Sequence, residues 1–242
     1  MKKMLEICVD DPEGLAAALE GGADRIELCS SLDSGGLTPT AGLIAQAALA
    51  PVPIYAMIRP RAGNFCFTPL ETDAMLHEIE TMRKAGLAGV VLGASMPDGS
   101  LDTVLLRRFV QQAEGMGLTL HRAFDLVPDP FEALEQAIDL GFERILTSGQ
   151  QLKAIDGTDL LQQLVQHAGN RISIMPGSGV KAENAQKILQ ATGVHEIHSS
   201  GRVSQPNPDV KSVEFGFALP LSSQTSAENI RKIKNIAAQD LT

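Results

Sequence analysis

Three cysteines in 242 residues are too few, and odd in number, for a disulfide framework. That scarcity predicts free thiols in a reducing compartment, the cytosol. Long apolar runs are missing too. The most hydrophobic stretch, 41–58, is broken by Gly42, Gln46, Pro51 and Pro53, short of the roughly 20 clean residues of a membrane helix. The N-terminus reaches Glu6 before any apolar core develops, so no signal peptide is expected. Positive charge is in deficit, with 20 Lys and Arg against 29 Asp and Glu and a net charge of −9. Such a surface repels phosphate backbones and anionic bilayers, which excludes nucleic acid and membrane as expected partners. There is no linker, low-complexity tract or sequence repeat, so a single domain over 1–242 is expected.

What is present is a rhythm. Short hydrophobic runs at 5–9, 25–28, 54–58, 89–92, 118–121, 144–147, 172–175 and 194–198 recur about every 27 residues, close to the length of a βα unit. Between them apolar residues take helical spacing, as in Met75, Ile79 and Met82 or Leu106, Phe109, Val110 and Ala113. Gly21-Gly22, Gly86, Gly117 and Gly141 are expected to close helices just ahead of the next strand. Eight alternations at this length predict an α/β TIM (β/α)8 barrel of parallel strands. The turn after the first strand, Val9-Asp10-Asp11-Pro12, lacks the glycine fingerprint of a dinucleotide-binding open sheet. An irregular segment is expected near 200–222, before a last helix near 227–238.

Side chains alternate along a strand, so the face with the aliphatics lies under the helices and the other faces into the barrel. That parity turns Glu6 and Cys8 inward from strand 1, and Arg25, Glu27 and Cys29 from strand 2. It also turns Tyr55, Met57 and Arg59 inward, with Thr119 and His121, Ser173 and Met175, and Glu196 and His198. Barrel interiors are normally filled by branched apolar residues. So many inward ionisable groups must either pair with one another or serve a ligand.

Arg59, Arg61 and Arg122 with His121 at the C-terminal rim suggest a small anionic ligand held by planar forks. The alternative is that Arg61 and Arg122 pair with rim carboxylates such as Asp125. Small residues after strands 6, 7 and 8, among them Ser148, Gly177, Gly179 and Ser199, match the usual phosphate cradle of the fold. No lysine stands at a strand end, so a Schiff-base aldolase lacks its nucleophile. His121 with Glu6 or Glu27 offers an acid–base pair for a sugar-like or phosphorylated substrate. Glu6, Glu27, His121 and His198 equally offer a divalent-metal site. Cys8 and Cys29 follow Glu6 and Glu27 by two residues and are expected at matching levels on neighbouring strands. There they read either as soft ligands for copper(I) or as two small buried hydrophobes. Cys66, in the loop after strand 3, is a possible third ligand.

Several blocks in order carry a resemblance. Glu6-Ile7-Cys8, the run 22–29, Gly35-Gly36-Leu37-Thr38-Pro39, Met57-Ile58-Arg59-Pro60-Arg61, His121-Arg122-Ala123-Phe124-Asp125, the run 144–149 and His198-Ser199-Ser200 together resemble the CutC family of copper homeostasis proteins. The resemblance spans about 4–202 and implies a cytosolic TIM barrel, a homodimer, and copper(I) as a ligand of Cys8 and Cys29. It implies no established reaction. One departure is Ala62-Gly63-Asn64-Phe65, where relatives read Gly-Gly-Asp-Phe. Asn64 cannot ionise, which removes an acid–base role there.

Overall fold

A computed structural model describes residues 3–239. The strands are β1 (Met4–Val9), β2 (Arg25–Leu28), β3 (Ile54–Met57), β4 (Gly89–Leu92), β5 (Gly117–Leu120), β6 (Arg144–Thr147), β7 (Ser173–Pro176) and β8 (Glu196–Ser199). Between them run helices α1 (Pro12–Gly21), α2 (Ala41–Ala47), α3 (Pro69–Lys84), α4 (Thr103–Gln112), α5 (Pro130–Leu140), α6 (Thr158–Ala168) and α7 (Ala182–Thr192). All eight strands are parallel, in the order β7-β6-β5-β4-β3-β2-β1-β8. β7 and β8 lie side by side and complete the barrel. This is the TIM barrel expected from the 27-residue rhythm.

Local sequence fixes the helix ends. Asp11 accepts a hydrogen bond from the Gly14 N–H ahead of Pro12, and Gly22 closes α1 at φ 84°. Thr68 and Glu71 form a capping box at α3. Gly86 and Gly141 also take positive φ, as expected of helix-ending glycines. Gly117 does not: it opens β5, and Gly115 makes the left-handed turn instead. Gly117 has a packing reason, since a Cβ there would collide with the Tyr55 ring and hydroxyl.

The parity argument is realised. Leu5, Ile7, Val9, Ile26 and Leu28 join Met75, Ile79, Phe109 and Leu134 in the core between strands and helices. Inside the barrel the buried apolar cluster is small, Cys29, Tyr55, Met57 and Val91. The ionisable residues share the rest with Met175, Thr119 and Leu146.

Two further expectations need correction. Cys8 and Cys29 are not at matching levels, because β1 and β2 are staggered by the shear that closes a barrel. Glu6 pairs with Arg25 and Cys8 with Glu27, which leaves Cys29 one pleat higher. The segment read as irregular near 200–222 holds an antiparallel ribbon of β9 (Arg202–Pro206) and β10 (Leu221–Thr225) with a short helix α8 (Val210–Glu214) between them. Both ribbon faces are largely solvated, so no period-2 pattern marks it. The chain then returns to the barrel through α9 (Ala227–Ala237), which buries Ile230 and Ile233.

Candidate functional site

The barrel interior is layered. At the floor, the Arg25 guanidinium bonds both Glu6 and Glu196, and Arg144 bonds Glu196 at 3.2 Å and Thr119 at 3.1 Å. Tyr55 lies against both guanidiniums, 5.3 and 4.8 Å from its ring centre. Burial pushes the Glu6 carboxyl up, but Arg25 and then His198 outweigh it and hold it at about 2. Glu196 is likewise lowered, its burial outweighed by Arg25 and Arg144. These charges are mutually satisfied and close the bottom of the barrel.

One layer up, β1 and β8 place Glu6 opposite His198. His198 Nδ1 donates to Glu6 Oε1 at 2.8 Å, which leaves Nε2 3.8 Å from Glu27 Oε2. Cys8, Glu27 and His198 each present a ligand atom, and these atoms all lie within 4.8 Å of one another. All three residues are buried. A carboxylate on the far nitrogen of an imidazole is the usual outer support of a metal-binding histidine. Burial pushes Glu27 up to about 7, with His198 opposing and Glu6 adding to the rise. His198 is raised well above its ordinary value, because Cys8 and Glu27 outweigh its burial. The Cys29 thiol donates to Glu27 Oε2 at 3.6 Å. It is sealed under the loop after β2, where a Cβ on Gly36 would sit 3.1 Å from its sulfur. Burial and then Glu27 push that thiol well up.

Above these lies a cavity of about 230 Å3, bordered by Cys8, Glu27, Arg59, Phe65, His121 and His198 among others. His121 follows β5 and accepts the Ala123 N–H on Nδ1 at 3.1 Å. Burial, with Arg59 nearby, pushes it down to about 3. The ring is therefore neutral and carries its proton on Nε2. Gly93 makes room for it, since a Cβ would lie 2.5 Å from the ring. Phe65 packs against His121, 4.6 Å between ring centres, and against the Arg59 guanidinium at 5.0 Å. Arg59 is committed to loop carbonyls: Nη1 donates to Ser34 and Gly36, Nη2 to Gly63. Its Nε, His121 Nε2 and Glu27 Oε1 are buried with no protein partner among the described residues.

The other sequence-derived candidates fall elsewhere. Arg61 pairs with Glu71 and with loop carbonyls and does not border the cavity. Asn64 accepts from Arg61 and from the Cys66 N–H, both at 3.3 Å, and so organises the loop that carries Phe65. Arg122 borders the cavity, but it donates to Asp125 at 2.7 Å and to Ser148 Oγ at 2.8 Å. Ser148 is fully buried in that network. Gly177 packs beneath His198, and a Cβ there would strike Leu146. Gly179 and Ser199 border a neighbouring cavity of about 620 Å3, with Lys181 and Arg202, which shares Cys8, Ser178 and His198 with the first. Ser199 Oγ is already engaged, donating to the Val180 carbonyl. The structure thus joins Cys8, Glu27, Arg59 and His121 at one cavity and leaves Arg61, Ser148 and Cys29 outside its walls. Parity had marked His198 as inward, but not as the partner of Cys8. Phe65 carries no local signal, because only the folded loop brings it to His121.

Comparison with known proteins places this geometry. The CutC family model matches residues 3–203. A family protein CutC from Sinorhizobium medicae is 54% identical over 231 residues, covering 96% of this chain and 94% of the relative. Another, from Caulobacter vibrioides, is 55% identical over 225 residues and covers 92% of each. A solved CutC structure from Streptococcus agalactiae, whose name attaches it provisionally to copper homeostasis, superposes with a TM-score of 0.79. Its identity is 34%, covering 82% of this chain and 98% of that one. The thiamine phosphate pyrophosphorylase of Pyrococcus furiosus, 17% identical with a TM-score of 0.60, shares the fold alone. No helix among the described residues is long and apolar enough to cross a membrane. By sequence and by fold, the chain belongs to the CutC family.

Proposed function

We propose that the barrel mouth binds copper(I) as cargo, held by the sulfur of Cys8 and the imidazole of His198 with the Glu27 carboxylate as third neighbour. The observation that carries this reading is the convergence of these three ligand atoms within 4.8 Å. The donor set fits the ion, since thiolate and imidazole both suit copper(I). Glu6 orients His198 through Nδ1, and the Cys29 thiol fixes Glu27 from one pleat above. The name of the Streptococcus agalactiae relative supports the same reading. A reducing cytosol, where Cys8 and Cys29 remain thiols, is the compartment it calls for. The homodimer implied by the resemblance remains part of this proposal.

The test is a competitive copper(I) titration of reduced protein against a strong chelator. One-to-one binding is expected, lost in Cys8→Ser and in His198→Asn and weakened less in Cys29→Ser. Unchanged affinity in the Cys8→Ser, Cys29→Ser double variant would falsify the copper reading.

A second reading is favoured by a separate observation. Three buried polar atoms without partners, on Glu27, Arg59 and His121, belong to residues that border one cavity. Each unpaired group costs roughly 1–3 kcal/mol, a cost that a bound polar molecule removes. In this reading the mouth takes a small anionic substrate, with His121 and Glu27 as the acid–base candidates.

A further inference from the structure

The unpaired atoms specify more than polarity. Arg59 Nε–H is a donor, and so is His121 Nε2–H, because the Ala123 N–H already occupies the other ring nitrogen. Glu27 Oε1 is the carboxyl oxygen left without a partner, its other oxygen being engaged by Cys29; it accepts when ionised and donates when protonated. Between them stand apolar walls from Leu32, Met57, Phe65 and Leu146. At about 230 Å3 the space is below the roughly 300–1,000 Å3 of drug-sized ligand pockets.

From this complement, and resting on the small-anion reading above, we infer that the cavity binds a short-chain 2-hydroxycarboxylate. Its carboxylate accepts from Arg59 Nε–H and His121 Nε2–H, and its hydroxyl, both donor and acceptor, pairs with Glu27 Oε1. A bare carboxylate leaves Glu27 unpaired. A phosphate group brings two charges towards a buried carboxylate, with only one guanidinium N–H to meet them. The remaining N–H groups of Arg59 stay on Ser34, Gly36 and Gly63, which leaves Nε–H as its buried donor without a protein partner. The short carbon chain packs on Phe65 and Met57.

The experiment uses the full-length protein, freed of metal by a chelator, titrated calorimetrically with L-lactate, D-lactate and D-glycerate. Propionate, which lacks the hydroxyl, and inorganic phosphate are the comparison probes. At least one hydroxy acid is expected to bind roughly tenfold or more tighter than propionate and tighter than phosphate. His121→Phe keeps a ring between Phe65 and Gly93 but loses the Nε2 donor, and should weaken that binding roughly 10–100-fold. His121→Leu, which likewise has no donor, is the second variant should the first fail to fold. Equal affinity for lactate and propionate, a preference for phosphate, or hydroxy-acid binding indifferent to His121 overturns the assignment and leaves the broader anion reading standing. Binding of none of the probes by the parent protein overturns both.

Discussion

Glu27 is the residue on which the site turns. Burial raises its carboxyl from 4.5 to about 7, so between those values the folded chain holds a proton that the unfolded chain has released. Glu27's own contribution to folding stability therefore falls as pH rises through that window. Neutral His121, held at about 3 against an ordinary 6.5, contributes in the opposite sense below 6.5. Glu6 works in the opposite sense: its carboxyl is held at about 2, and the stability it contributes is full above 4.5 and lost as pH falls towards 2. Glu27→Gln removes the first dependence and keeps the second. Urea unfolding at pH 5 and pH 7.5 should show the parent losing stability relative to the variant by on the order of a few kcal/mol, because the opposing His121 contribution is common to both. An equal decline in both proteins would place the cost on another group. His121 illustrates the other use of burial. Desolvation keeps it uncharged, which turns an imidazole into a fixed donor.

At the scale of elements, three neighbouring strands set the chemistry. β2, β1 and β8 bring Arg25, Glu6 and His198 to one level, and Cys8 to the level of Glu27. Arg25→Met leaves Glu6 and Glu196 buried without their shared partner, a loss of roughly 3–5 kcal/mol. In a domain of this size that lowers Tm by roughly 6–20 °C. Scanning calorimetry checks it, with Arg25→Lys expected to recover part of the loss. Much of this was legible in the sequence. Strand positions, facing and helix ends are local properties, and the residues between Leu5 and Ile197 announce them by periodicity. What was not legible depends on shear and on loop closure. The stagger that separates Cys8 from Cys29 is a property of the closed barrel. The contacts that engage Arg61 with Glu71 and bring Phe65 to His121 form only when the loop after β3 folds over the mouth.

For the whole molecule, the barrel and the β9–β10 arm are unequal partners. The arm exposes Phe215, Phe217 and Leu221, whereas α9 beyond it seats Ile230 where a Cβ on Gly21 would lie only 2.6 Å away. Replacing 204–223 by a two-residue hairpin turn should therefore leave the barrel intact. The Arg202–Thr225 pairing and the bond from the Ser226 N–H to the Gly201 carbonyl would still deliver α9 to its place. A Tm within roughly 2–4 °C of the parent, about one kcal/mol, is the expected result. Collapse of the transition would show that the arm helps to hold the barrel closed. The floor of the barrel carries a different consequence. Arg25, Arg144, Glu6 and Glu196 are joined by ion pairs in a largely buried place, with Glu143 also on Arg144 and His198 also on Glu6. A lineage that loses one member inherits a stranded charge, so viable descendants must exchange cation and anion together. Among relatives, substitutions at these four positions should therefore arrive as couples, and the floor should drift by paired replacement while the solvated rim changes one residue at a time.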